Sequence, residues 1–156
     1  MNALEVIILN FEEIRRRSIK LWTGIPEDCF HWKPDKTAMT CLEMVRHVLE
    51  GEHLYHIIIN TRGNLSDYKS PWDSRPYIKL QDELEFCKTY RAQFIDFIKT
   101  LSETDLQSIE IIRADKGQRR LLGDYLNRIA YHESVHTGQM LSYLRQLQIE
   151  RPNIWD

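Results

Sequence analysis

Four stretches of this chain repeat their apolar residues at the 3.6-residue spacing of an α-helix, and they leave little room for anything but helix on helix. Residues 2–22 carry Leu4, Ile7, Ile8, Phe11, Ile14, Leu21 and Trp22 on one face. Residues 40–60 open at Thr40 with Glu43 three positions later, the spacing of a capping box. Residues 79–102 carry Leu80, Leu84, Cys87, Tyr90, Phe94, Ile98 and Leu101. Residues 121–147 carry Leu122, Tyr125, Ile129, Met140, Tyr143 and Leu147. Two long connections, "TGIPEDCFHWKPDKTAM" and "TRGNLSDYKSPWDSRPY", hold every proline except Pro152 and read as loops. The third, "SIEIIRADKGQRRL", alternates weakly around a turn at Asp115 to Gly117 and reads as a short hairpin or an irregular crossover. Four amphipathic helices within 156 residues, with no repeat or linker, predict an all-α four-helix bundle forming a single domain over 1–156.

Composition narrows the function. The net charge is -2, and the basic clusters Arg15–Arg17 and Arg119–Arg120 are not interleaved with aromatics, which argues against nucleic acid. No apolar run approaches the roughly 18 residues of a membrane span. The first residues lack a positive leader and a small-residue cleavage site, so the expected location is the cytoplasm. Cys29, Cys41 and Cys87 are odd in number and widely spaced. They predict buried reduced thiols rather than a disulfide framework or a thiolate zinc site.

The six histidines carry the chemistry. On a helix advancing 100° per residue, His136 lies about 40° from His132, with Ile129 about 60° and Tyr125 and Tyr143 about 20° away. In the second helix His47 shares its face with Met44, Gly51, Leu54 and Ile58, all within about 60°. Three imidazoles are therefore expected to face the bundle interior. Buried and unpaired, each would cost on the order of 1–3 kcal/mol. One cation satisfies all three, and three protein ligands with an open position is a catalytic pattern. Gly51, one turn after His47, leaves space there. His53 and His56 point about 120° or more away from His47, and His31 lies in a loop. Glu52 and Glu133 are flanking carboxylates. Glu133 could orient a ligand, hold a water as a base, or face solvent; Gln139 could pack or touch a ligand. Arg15 and Arg91 point inward, where they could meet an anion or snorkel to solvent. Leu42, Val45, Leu49 and Ile59 form a second apolar face on the second helix, a hint of extra packing or a partner.

The string H-E-S-V-H at 132–136 matches the zinc-protease pattern, which needs a third ligand. The metzincin extension is absent, since Gln139 and Ser142 stand where it requires glycine and histidine. After His136 the only acids are Glu150 and Asp156 near the terminus, with no further helix to carry them. The third ligand must come from upstream, and His47 is the candidate.

Taken together, "FHWKPDKTAMT", "TAMTCLEMVRHVLEGEHLY" and "LLGDYLNRIAYHESVHTGQMLSYLRQL" give the chain its likeness to a known family. It resembles the DinB-like superfamily, which includes bacillithiol-transferase-like proteins, over nearly its whole length. The resemblance implies an up-down-down-up bundle with a long crossover. It implies a nickel or zinc ion held by His47, His132 and His136, and a homodimer. The activity it suggests is transfer of a low-molecular-weight thiol to an electrophile. A metal-dependent hydrolase with Glu133 as base and a non-catalytic metal-binding module are the alternatives.

Overall fold

Two of the four long helices start where their own side chains dictate. In the computed structural model, which describes residues 1–156, α1 (Ala3–Thr23) opens with a capping box: Asn2 accepts from the Glu5 amide at 2.9 Å and Glu5 accepts from the Asn2 amide at 2.8 Å. Thr40 and Glu43 do the same for α2 (Cys41–Asn60), at 3.1 and 2.7 Å. Such reciprocal pairs satisfy amides that the helix leaves without partners. α3 spans Leu80–Lys99, the short α4 spans Glu103–Ser108, and α5 spans Leu122–Gln146. The weakly alternating segment is a hairpin: β1 (Glu110–Arg113) pairs antiparallel with β2 (Gln118–Leu121) through a turn closed by left-handed Gly117. This is the one departure from an all-helical chain.

The hairpin is strapped to the end of α2. The Ile112 amide donates to the Arg62 carbonyl at 3.1 Å. Gly63, at φ +105°, packs so close to the Ile112 carbonyl that any side chain there would collide with it. The turn therefore needs glycine for both its backbone conformation and its contact.

α1 packs on α5 and α3, and α2 packs on α3 and α5. The apolar interior falls into two clusters. One gathers Leu21, Trp22, Leu42, Leu49 and Met140; the other gathers Phe11, Ile58, Phe94, Ile98 and Leu126. Between them, at mid-height, each of the four long helices contributes one charged residue. Arg15 donates to both Glu133 oxygens at 2.8 and 3.0 Å, and its Nη2 lies 3.3 Å from Glu52. Arg91 pairs with Glu52 and donates to the Phe11 carbonyl at 3.0 Å. Arg15 and Arg91 thus neither snorkel to solvent nor stand free for an anion, because each is spent on a carboxylate.

Two features of α2 are settled here. Leu42, Val45, Leu49 and Ile59 are at most 2% exposed, so of the two readings of this face, extra packing or a partner, the structure shows packing within the chain. His53 and His56 are buried, His53 among Tyr68, Trp72 and Tyr90, His56 against Phe94 and Phe97. α2 is sandwiched between α3 and α5, so it has two inward faces. The three cysteines are free thiols, with Cys41 and Cys87 buried and Cys29 half-buried.

Burial, with a smaller push from His53, lowers the His56 pKa from 6.5 to about 4. Its Nδ1 has no partner. A folded-state pKa below the unfolded one means the folded chain resists taking up this proton. Stability is therefore full above about pH 6.5 and declines as pH falls toward about 4, by about 1–3 kcal/mol from this residue. Urea unfolding at pH 7.5 and 4.5 should show that decline, and His56→Leu should shrink it. An unchanged difference in the variant would show that His56 does not titrate this way.

Candidate metal centre

Two histidines one turn apart on α5 face a third on α2 across the α2–α5 seam. The Nε2 atoms of His132 and His47 lie 3.1 Å apart, and those of His136 and His132 also 3.1 Å. One ligand atom from each of the three lies within 4.8 Å of the others. Ligand bonds of about 2.0–2.1 Å at tetrahedral or octahedral angles put neighbouring nitrogens about 2.9–3.4 Å apart, so these separations fit one shared ion.

The hydrogen-bond accounting favours a cation as well. His136 Nδ1 donates to Gln139 Oε1 at 2.7 Å, which leaves Nε2 as the nitrogen turned to the other two rings. His132 Nε2 then faces two imidazole nitrogens and can carry only one proton. A metal ion meets all three lone pairs at once. Gln139 fixes the His136 tautomer and ring orientation, as partners of metal-bound histidines usually do.

Burial lowers the His132 pKa to about 4, helped by the neighbouring His136 and His47; partial desolvation of the ring, with His136 beside it, also lowers that of His47. Both rings are therefore neutral, the form that binds metal, near neutral pH. The site is shallower than the helical wheel suggests: His132 and His136 are half-buried and His47 is exposed. The facing toward the α2–α5 seam holds, but the seam is open to solvent at this level. That opening is what an exchangeable ligand position requires. A cleft of about 370 Å³ reaches His47, walled by Lys33, Thr37, Met39, Glu50 and Tyr77. Its loop is held on α2 and α5 by the Leu42 amide to Phe30 carbonyl bond at 2.9 Å and by the Tyr143 hydroxyl to Met39 carbonyl bond at 3.1 Å.

Glu133, the flanking carboxylate with a candidate role as base, is turned toward α1. Burial opposes its charge, but Arg15 outweighs burial and holds the carboxyl below the usual range. With both oxygens engaged by Arg15, it has neither the reach nor the basicity to take a proton from a molecule at the histidines. Glu52 is likewise spent on Arg15 and Arg91.

A family model of the DinB superfamily matches residues 10–140. The chain belongs to the DinB superfamily. Among DinB relatives, the uncharacterized protein YjoA of Bacillus subtilis is 29% identical over 147 residues, covering 90% of this chain and 88% of that one. The crystal structure of YjoA, a DinB-like protein from the same organism, superposes with a TM-score of 0.71 at 24% identity over 95% of this chain and 96% of that one. This second likeness speaks to the fold. No helix of this DinB protein is long and apolar enough to cross a membrane.

Gly51 offers a test that separates binding from folding. A Cβ there would lie 3.1 Å from His132 Cε1. Gly51→Ala should leave stability unchanged or raise it by up to about 1 kcal/mol, the helix preference of alanine over glycine. It should weaken zinc binding about tenfold or more by pushing the ring aside. Calorimetric zinc titration alongside urea unfolding reads both, and unchanged affinity would remove Gly51 from the site.

Proposed function

We propose that this DinB protein holds one divalent cation, nickel or zinc, through His47, His132 and His136, and transfers a low-molecular-weight thiol to an electrophile. The observation that carries the reading is the convergence of three imidazoles on one solvent-open point, with Glu133 turned away from it onto Arg15. A bound divalent cation lowers the pKa of a thiol from about 8.5 and so supplies thiolate at neutral pH. The histidines and Gln139 fix the position, and the cleft beside His47 admits the reactants. With an aryl chloride, the sulfur–carbon bond forms as the carbon–chlorine bond breaks, chloride departs, and the thiol proton goes to solvent. Hydrolysis is the weaker reading, because Glu133 is committed to Arg15.

The surrounding architecture is read in the same way. The pairs Arg15–Glu133 and Ser18–Thr137 support α1 and α5 running in one direction. Gly51–His132 and Tyr55–Tyr125 support α2 running against α5, and Arg46–Glu83 with Glu52–Arg91 support α3 running along α2. The bundle is then up-down-down-up, one domain over 1–156. Tyr131 and Val135, 72% and 40% exposed on α5, are apolar surface suited to a partner copy in a cytoplasmic homodimer.

The test is to load the purified protein with nickel or zinc and mix it with 1-chloro-2,4-dinitrobenzene and bacillithiol, glutathione or cysteine in turn. Metal-dependent formation of the thioether, lost in His132→Ala, is expected. No acceleration with any of these thiols would overturn the transferase reading and leave a metal-binding module.

A further inference from the structure

Most arginines that this chain draws inward are matched to a carboxylate: Arg15 and Arg91 in the central layer, Arg46 on Glu83, Arg113 on Asp115. Arg128 is different. It is half-buried and makes none of the chain's ion pairs, and its buried Nε has no acceptor. Arg75 shares those traits, but its guanidinium is stacked 3.6 Å from the Phe86 ring centre, whereas that of Arg128 stands 5.8 Å from the ring centre of Tyr125. An inward cation without a counter-charge gives up hydration and gains little; with one donor turned to the Tyr55 hydroxyl, its others remain available to an outside acceptor.

Its place on the fold gives that acceptor an address. Arg128 precedes His132 by four residues and His136 by eight, so the three share one side of α5, with successive members about 6 Å apart. Tyr55 stands between them from the α2 side: its ring centre is 5.8 Å from that of His132 and 5.8 Å from that of Tyr125. The Arg128 guanidinium lies beside the Tyr55 hydroxyl, close enough to donate to it. A phenol and a guanidinium fork, side by side one turn from the histidines, form a pair suited to a carboxylate.

We infer that Arg128, with Tyr55 beside it, is a specificity-determining residue that holds a carboxylate on the thiol whose sulfur is bound at the three histidines. This rests on the thiol reading above and narrows it to thiols that carry an acid group a few bonds from sulfur. Arg128 touches that end of the substrate and takes no part in bond making.

The experiment uses full-length nickel-loaded protein and two probes of similar length, 3-mercaptopropionate and 3-mercapto-1-propanol, followed by thiolate-to-nickel charge-transfer absorption. The expected result is that wild type binds the acid at least tenfold more tightly than the alcohol. Arg128→Met, which keeps the aliphatic stem, should lose that preference, with unchanged nickel content and unchanged affinity for the alcohol. In metal-free protein, millimolar 3-mercaptopropionate should shift the Arg128 Nε–H resonance more than 3-mercapto-1-propanol does. Equal binding of the two thiols by wild type would overturn this inference and leave the thiol reading standing, as would an Arg128→Met variant that weakens both alike. Absence of a charge-transfer band with either thiol would sink the thiol reading and the inference with it.

Discussion

Arg15→Met lowers the unfolding free energy by about 3–5 kcal/mol, the range for removing one partner of a buried ion pair. Both Glu133 oxygens accept from Arg15, and Glu52 lies 3.3 Å from it, all three residues being at most 6% exposed. Without the guanidinium, Glu133 is left with no cation in contact and Glu52 must rely on Arg91. Adding Glu133→Leu to Arg15→Met should recover at least half of the loss, because the stranded charge is then gone. Urea unfolding of the two single variants and the double variant reads the coupling. Independent, additive losses would mean that the layer is not a unit. A loss confined to metal binding, with stability intact, would return Glu133 to the metal site.

His47→Ala has the opposite profile. Its side chain is exposed, so the metal-free protein should change stability by no more than about 0.5 kcal/mol. Zinc and nickel affinity should fall by at least about a hundredfold, since losing even an outer partner of a metal ligand costs about 10–100-fold. The residue lies 85 positions from His132. A strong effect there, matched by His136→Ala, joins the two helices in one site. Competition titration against a chromogenic chelator measures it.

The helices were legible because their apolar periodicity is sustained, and the Thr40–Glu43 cap marked the start of α2 to the residue. The wheel also brought His47, His132 and His136 to one seam, since angle depends only on spacing. Depth was not legible. A wheel gives direction around a helix, and whether the next layer covers that direction depends on the loops, which here leave His47 open.

α2 was legible in part. The sequence showed a second apolar stripe, read as extra packing or a partner, and turned His53 and His56 about 120° or more from His47, but it did not show what covers that side. α3 covers it, with Trp72 from the following loop against His53. The charged layer did leave a trace. Arg15 is four residues after Phe11, Arg91 four after Cys87 and Glu133 four after Ile129, so each sits on its helix's buried stripe. Which charge meets which could not be read, because pairing across helices depends on their relative heights. The hairpin left two readings open until its register was seen, since four-residue strands carry too little alternation to decide.

The most direct measurement is diffraction from nickel- or zinc-soaked crystals at the metal absorption edge, with His132→Ala alongside. One anomalous peak within about 2.0–2.2 Å of Nε2 of His47, His132 and His136, and its disappearance in the variant, is the predicted result. A peak held by other residues, or one that survives loss of His132, would contradict the account.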